Sequence, residues 1–334
     1  MRKNLLILML LGHALLAQAA DIETMNAQQI VIQFDDQPEV VTASSADEKQ
    51  PATLLALAPA PTQPQSLQMQ EEELKSSLLK LTASPKLRSA IGLIYDERGQ
   101  RPLYSKGADA VAPIASITKL MTAMVVLDAQ LPMDEEISIS AQDADRHKIT
   151  RSRMRPGTTA TRGELLKLAL MASENRAAAA LARTYPGGTQ AALAQMNSKA
   201  RELGMTSTQF LDPTGLNSGN VSTAQYLVKM VRAAQGYELI HKYTTSTSHV
   251  LEQAGHRPMQ FRNTNPLVRN ASWDIGLSKT GYISEAGKCL VMQATIAQHP
   301  VIIVLLDSWG KQTRVGDANR VKLWMENGYR RANY

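Results

Sequence analysis

Three short groups of residues in this chain have the types and spacing needed for acyl transfer, and the first contains a serine and a lysine. Ser116-Ile117-Thr118-Lys119 opens an apolar run with helical character. Residues three apart on a helix lie side by side, so Lys119 is predicted to face Ser116. A lysine within an apolar run loses hydration and needs a polar partner. Because a serine hydroxyl needs an adjacent base to attack an amide, the pair predicts a nucleophile and its base.

The other two groups follow in order along the chain. Ser173-Glu174-Asn175 lies where two apolar helical runs meet, and Lys279-Thr280-Gly281 lies on a predicted strand. Each group alone has a more common structural explanation. Ser116, Ser173 and Asn175 could be helix caps, and Lys279 could be a solvated strand residue. The three groups together, in this order, favour the catalytic interpretation.

Two of the patterns also occur elsewhere, in less suitable places. Ser-x-x-Lys recurs at residues 77–80, in a polar segment, and at residues 308–311, after a strand end beside Gly310. Ser-x-Asn recurs at residues 218–220, in a glycine-containing loop that is poorly suited to holding a catalytic group. Lys-Thr-Gly occurs once.

The order Ser-x-x-Lys, Ser-x-Asn, Lys-Thr-Gly resembles the signature set of penicillin-binding proteins and serine β-lactamases. The segments around it are similar to the low-molecular-weight penicillin-binding protein 7/8 group, which are periplasmic D-alanyl-D-alanine endopeptidases. This resemblance covers residues 90–334 and is carried by five segments: "PIASITKLMTAMVVLDAQLP", "LALMASENRAAAALARTYPGG", "FLDPTGLNSGNVSTAQYL", "FRNTNPLV" and "LSKTGYISEAGKCLVM".

The resemblance implies a catalytic set of three residues. Ser116 would be the acyl-accepting nucleophile. Lys119 would be its base, neutral part of the time because burial and the charge of Lys279 oppose its protonation. Ser173 would relay a proton to the leaving amine. The intervening Glu174 is predicted to be exposed and not catalytic.

The resemblance also implies a substrate-binding set. Asn175 would hold the substrate backbone and the side chain of Lys119. Lys279 would supply positive potential, and Thr280 a hydroxyl for the acyl donor or a carboxylate. Gly281 would leave room for a substrate strand beside the sheet edge. The backbone N–H groups of Ser116 and Tyr282 would stabilise the oxyanion.

The elements that must position these residues predict an α+β fold. Residues 90–105 read as a strand hairpin with its turn at 97–100, the middle of the chain is helical, and residues 274–308 read as three consecutive antiparallel strands. We therefore expect an antiparallel sheet of about five strands, from both chain ends, beside a helical lobe, as in D,D-peptidases and β-lactamases. The amphipathic C-terminal segment is expected to pack on the sheet, the alternative being a helix on a membrane surface.

The pattern of the first 19 residues predicts export. Arg2 and Lys3 precede a short apolar run that ends near Ala17-Gln18-Ala19, the layout of a cleavable signal peptide; a membrane anchor is the alternative. The predicted organisation is a signal peptide (1–19), a Pro-, Gln-, Ala- and Ser-rich leader or tether (20–85) and a peptidase domain (86–334). A periplasmic location follows, with no transmembrane span in the mature chain and loose membrane association as an option.

Composition excludes other classes. The formal net charge is +6 but the basic residues are scattered, and aromatic residues are only 4% of the chain, so no nucleic-acid partner is expected. The six histidines lack ligand spacing, so neither a metal site nor a cofactor is predicted. Cys289 is the one cysteine and lies in a strand-like run, where it is predicted to be a buried apolar residue.

Four activities remain open on this fold. The favoured one is an endopeptidase that cleaves D-alanyl cross-links between peptidoglycan stem peptides, with β-lactams as covalent inhibitors. A D,D-carboxypeptidase is the first alternative; only 53 residues follow Gly281, which favours a short enzyme without a further domain. A β-lactamase is less favoured because the Glu-x-x-x-Asn pattern is absent around Glu202. A non-catalytic cell-wall binder would require damaged motifs, and all three are intact.

Overall fold

A five-stranded antiparallel sheet organises the part of the chain described by the computed structural model, residues 84–144, 152–253, 255 and 257–332. The strands are β1 (Ile91–Asp96), β2 (Arg101–Lys106), β3 (Ala112–Pro113), β4 (Glu136–Ser138), β5 (Thr159–Thr161), β6 (Val221–Ser222), β7 (Ser248–Leu251), β8 (Met259–Arg262), β9 (Asp274–Ile283), β10 (Gly287–Ile296) and β11 (His299–Ser308). The main sheet has the order β2-β1-β11-β10-β9, with the other strands in three small two-stranded pairs. Strands from both chain ends therefore build one sheet, which confirms the predicted α+β architecture.

The long apolar runs of β10 and β11 result from burial on both faces of the sheet. Val291 and Val304 point into the core shared with the helices of the middle of the chain. Leu290 and Leu305 point into a second core on the opposite face. Because successive strand residues alternate between faces, a strand covered on both sides must be apolar nearly throughout.

The helical lobe lies against the first of these faces. The seven α-helices of the described residues are α1 (Lys119–Asp128), α2 (Arg162–Met171), α3 (Asn175–Arg183), α4 (Gly188–Glu202), α5 (Ala224–Gln235), α6 (Glu238–Thr244) and α7 (Thr313–Ala332). Side-chain oxygens cap two of them: Thr161 accepts from Glu164 N, and Thr223 accepts from Tyr226 N. No sequence signal predicted α6 or the pairs β4–β5 and β7–β8, because segments of three to seven residues are too short to establish a period.

Helix α7 covers the second face of the sheet, as predicted. Its apolar stripe, which includes Ala318, Val321 and Met325, is fully buried against β10 and β11. In the described part of the chain, no helix combines the length and the apolar character that crossing a bilayer requires. The proposed signal peptide and nearly all of the proposed leader lie outside the described residues.

Asp317 ties α7 to the start of the domain. Its buried carboxylate accepts hydrogen bonds from Arg88 N at 3.0 Å, Ser89 N at 2.7 Å and Ser89 Oγ at 2.5 Å, and it also pairs with Arg320. Burial opposes ionisation of Asp317, but these donors outweigh it and lower the pKa of the carboxyl group.

We predict that Asp317→Asn destabilises the domain by about 1–3 kcal/mol at neutral pH, because an amide nitrogen would face donors. A group whose folded-state pKa is lowered contributes its full stability above the unfolded pKa, about 3.9, and loses it as the pH falls through the folded value. Urea unfolding should therefore show a smaller difference in the free energy of unfolding between the variant and the parent chain below about pH 4 than at neutral pH. Asp274→Asn, at an exposed carboxylate on β9, is the control; equal losses for both variants would contradict the prediction.

Candidate active site

Ser116 lies in a short 3₁₀ turn, Ala115–Thr118, that leads directly into α1. No side-chain cap is formed at the start of this turn, and the residue in the capping position is Ile114. The helix-cap explanation of Ser116 is therefore wrong. The turn is fully buried, and Ala115 has a φ of +46°, a strained value for a residue with a Cβ. Eight of the ten residues of α1 are buried, so a rigid core helix holds the serine.

Lys119 lies directly beside Ser116, as its spacing predicted. Its side chain is 1% exposed, and its Nζ is within hydrogen-bond distance of three oxygens: Ser116 Oγ at 2.9 Å, Asn175 Oδ1 at 2.8 Å and Thr214 O at 2.6 Å. The amide and backbone oxygens can only accept. A neutral amine that donates to both of them has its lone pair left for the Ser116 hydroxyl, which is the arrangement a general base requires.

The junction between α2 and α3 brings the second group to the same place. Ser173 has a φ of +60°, which turns the chain sharply so that α3 starts at Asn175. Ser173 Oγ accepts a hydrogen bond from Lys279 Nζ at 2.8 Å, and Asn175 Oδ1 accepts one from Lys119. Neither residue occupies the cap of α3, which is Glu174.

Glu174 corrects one expectation. It was predicted to be exposed, but its side chain is buried, with Oε2 accepting from Ser152 Oγ at 2.8 Å. Burial is the main cause that raises the pKa of this carboxyl group. The sequence could not reveal this, because the segment that carries Ser152 is distant in the chain.

Lys279 and Thr280 lie on β9, one of the two edge strands of the five-stranded sheet. Lys279 is 1% exposed, so it is not a solvated strand residue, and its Nζ also donates to Thr280 O at 2.9 Å. Burial, followed by the positive charges of Lys119 and Arg314, lowers the pKa of Lys279 well below its usual range. The repulsion between the two lysines is mutual, so protonation of one opposes protonation of the other.

Gly281 lets β9 approach the Ser116 turn. A Cβ at this position would lie 3.0 Å from Ile114 O and 3.1 Å from Ser116 N. The side chain of the next residue, Tyr282, is 59% exposed. Since β9 is an edge strand, its outer side is available for an extended peptide that would run past Ser116.

Two further groups of the site gave no sequence signal. Thr214 contributes its carbonyl oxygen to Lys119, and Thr264 Oγ1 accepts from Thr280 Oγ1 at 2.6 Å. The segment around Thr214, Asp-Pro-Thr-Gly, indicates only a turn. No pattern of side chains identifies which backbone carbonyl of a turn will meet a lysine on another element.

The repeated motifs do not form second sites in the described residues. Ser308 Oγ lies 2.7 Å from Ser89 Oγ in the interior, whereas Lys311 is exposed on the surface. Ser218 is exposed in its loop. The copy at 77–80 lies outside the described residues.

One further reactive side chain, the Cys289 thiol, belongs to β10, where Cys289 pairs with Gly281 of β9. Cys289 is buried as predicted, and burial raises the pKa of its thiol to about 11, so it carries no thiolate at neutral pH. Within the described ranges, His, Cys, Asp and Glu side chains form no group of three or more that could hold a metal ion.

Comparisons with known proteins agree with this arrangement. The family model described as D-alanyl-D-alanine carboxypeptidase, peptidase family S11, matches residues 79–310. A D-alanyl-D-alanine endopeptidase of Pseudomonas aeruginosa is 46% identical over 249 residues, 74% of this chain and 80% of the relative. One from Escherichia coli is 44% identical over 255 residues, 76% of this chain and 82% of the relative. The crystal structure of the Streptomyces K15 DD-transpeptidase superimposes with a TM-score of 0.68 at 28% identity, covering 73% of this chain and 99% of that one.

Proposed function

Since the chain belongs to peptidase family S11, the serine D,D-peptidases, we propose that it is an endopeptidase that cleaves D-alanyl cross-links in peptidoglycan through an acyl-enzyme on Ser116. The single observation that carries the mechanism is the 2.9 Å contact between Ser116 Oγ and Lys119 Nζ in a buried site. The conclusion also agrees with the resemblance seen in the sequence.

Acylation begins with neutral Lys119. Ser116 Oγ attacks the carbonyl carbon of the scissile D-alanyl bond while its proton passes to Lys119 Nζ. Asn175 Oδ1 and Thr214 O keep the amine oriented, because they accept its two N–H groups. The negative charge that develops on the carbonyl oxygen is stabilised by the backbone N–H groups of Ser116 and Tyr282.

The leaving group takes its proton from Ser173. That hydroxyl accepts from Lys279 Nζ, so Ser173 recovers from Lys279 the proton that it gives to the departing amine. Water then attacks the acyl carbonyl carbon and gives its proton through Ser173 to Lys279, while protonated Lys119 returns its proton to the departing Ser116 Oγ. The pair Lys279 and Thr280 presents positive potential and a hydroxyl to the acyl donor or to a carboxylate, while Gly281 lets these two residues lie close to the Ser116 turn.

Penicillin is expected to acylate the same serine and to remain bound. Fast deacylation in class A β-lactamases uses a separate glutamate. Here Glu202, the acidic residue in the corresponding region, is exposed at the end of α4, where it accepts from Ser198 Oγ. We therefore expect peptidase activity and only slow hydrolysis of β-lactams.

Endopeptidase activity is favoured over carboxypeptidase activity because the chain is more similar in sequence to the endopeptidases. The endopeptidases are 44–46% identical to this chain, whereas a D-alanyl-D-alanine carboxypeptidase of Bacillus subtilis is 32% identical over 212 residues. The free edge of β9 suits an extended stem peptide on either side of the cut bond.

Substrate choice is tested with two purified muropeptides, cross-linked dimers and pentapeptide monomers. We expect the enzyme to release monomers from dimers, which chromatography and mass spectrometry would detect. Ser116→Ala is the inactive control. Loss of alanine from monomers, with dimers untouched, would establish the carboxypeptidase instead.

We further propose that the enzyme acts in the periplasm, with residues 1–19 as a cleaved signal peptide and residues 20–85 as a tether. The support is the charged and apolar layout of the N-terminus and the cell-wall substrate. N-terminal sequencing of the exported chain tests it; a mature chain that still begins at Met1 would contradict it.

A further inference from the structure

The carbonyl oxygen of Thr214, 2.6 Å from Lys119 Nζ, belongs to a loop formed by residues 211–220. A loop carbonyl can orient an amine only if the loop itself is held. Two buried polar side chains of this loop, Asp212 and Asn220, hold it. Asn220 ends the second Ser-x-Asn pattern, at residues 218–220, and neither residue belongs to the three groups that form the candidate active site.

Asp212 folds the loop around its carboxylate. Its oxygens accept from Thr214 N at 3.1 Å and from Gly215 N at 3.0 Å, and they also accept from Thr214 Oγ1. The Gly215 N–H belongs to the same peptide group as the Thr214 carbonyl, and the Thr214 N–H belongs to the preceding peptide group. The bonds to Asp212 fix the direction in which that carbonyl points.

Asn220 connects the loop to the Ser116 turn. Its Oδ1 accepts from Leu211 N at 2.7 Å and Asp212 N at 3.2 Å. Its Nδ2 donates to Asp212 O at 2.8 Å and to Thr118 Oγ1 at 3.0 Å. The backbone adds a further link, from Ile114 N to Asn220 O at 3.0 Å. All four positions of the fully buried amide are thus used, two of them as donors.

The loop and the turn are also packed without space between them. Gly215 has a φ of +82°, and a Cβ there would lie 2.0 Å from Ala115 O. Any displacement of the loop relative to the turn therefore changes the position of Thr214 O relative to both Ser116 and Lys119.

We propose that Asn220, acting with Asp212, is a positioning residue for acylation: it locks the Thr214 carbonyl in register with the Ser116 turn, so that the Lys119 amine points its lone pair at Ser116 Oγ. This inference rests on the proposed roles of Ser116 and Lys119. Asn220 touches none of the reacting atoms and acts through Thr118 and Thr214.

The test compares Asn220→Asp with Asn197→Asp. Both changes keep the side-chain shape and one accepting oxygen and remove two donated hydrogen bonds. Asn197 also bonds the backbone near this loop, accepting from Phe210 N at 2.9 Å and donating to Phe210 O at 2.8 Å, but it has no bond to the Ser116 turn. It is therefore a matched control for loss of loop stability alone.

The measurement is the rate at which fluorescent penicillin acylates each variant. The rate is expressed per active site, and the number of active sites is taken from the final labelling stoichiometry. We expect Asn220→Asp to lower the limiting acylation rate by about 10- to 100-fold, since small misplacements of reacting groups cost that much. The non-covalent affinity for penicillin should be nearly unchanged, because Lys279 and Thr280 are untouched. Asn197→Asp should acylate within about twofold of the parent chain.

Wild-type acylation in Asn220→Asp, or an equal fall in both variants, would overturn the proposal. If Asn220→Asp does not fold, Thr118→Val and Thr118→Ser decide the question. Valine removes the acceptor of Asn220 Nδ2 and should slow acylation, whereas serine keeps it and should not; equal rates would overturn the proposal. A wrong assignment of Ser116 as the nucleophile would give a different result, because the Ser116→Ala variant would then still be labelled by penicillin.

Discussion

Ser116→Ala is expected to abolish covalent labelling by penicillin and to reduce peptide cleavage by at least about 10⁴-fold. Loss of a nucleophile removes the acyl-enzyme itself, and the remaining binding groups give only a small residual rate. The side chain is small and lies at the surface of the buried turn, 8% exposed, so the fold should be retained.

Intact-mass spectrometry after incubation with penicillin checks this result, together with the melting temperature of each protein. Ser218→Ala, at the exposed serine of the Ser-x-Asn pattern at residues 218–220, is the control and should label as the parent chain does. A covalent adduct on Ser116→Ala would show that the nucleophile is a different residue.

Lys119→Ala is expected to lower the acylation rate by about 10²–10⁴-fold, the range that general base catalysis supplies. Ser116 would lose its proton acceptor, while Asn175 Oδ1 and Thr214 O would lose the donor they share. Removal of Lys119 should also favour protonation of Lys279, because a positive charge on Lys119 is one of the causes that lower the pKa of Lys279.

Stopped-flow or quenched acylation with penicillin measures the rate, and Lys311→Ala, at the exposed lysine of the Ser-x-x-Lys pattern at residues 308–311, is the matched control. A variant that lacks Lys119 but acylates at the parent rate would assign the base to another group, of which Ser173 is the nearest candidate in the proposed mechanism.

The predictions from sequence succeeded where the signal is local or periodic. The hairpin of β1 and β2, the junction of α2 and α3, and the three antiparallel strands β9 to β11 were all recognisable, because apolar periodicity and turn residues specify them. The packing of α7 on the sheet followed from its amphipathic pattern.

The burial of Glu174 and the short elements α6, β4–β5 and β7–β8 were not predicted. Burial of a charged residue depends on what packs over it, and here that is a segment carrying Ser152. Short elements form because tertiary neighbours stabilise them, so their own sequences carry little information.

The sequence by itself determined the chemical inventory of this protein: a serine and a lysine one helical turn apart, a second serine with an asparagine, and a lysine on a strand, in an order typical of one reaction class. Only the tertiary structure decided how these groups meet. Lys119 acquires its acceptors from α3 and from the 211–220 loop, 56 and 95 residues further along the chain. Lys279 reaches Ser173 across 106 residues. Such contacts depend on the packing of the sheet against the helical lobe, and a backbone carbonyl such as that of Thr214 has no side-chain identity for a sequence pattern to record.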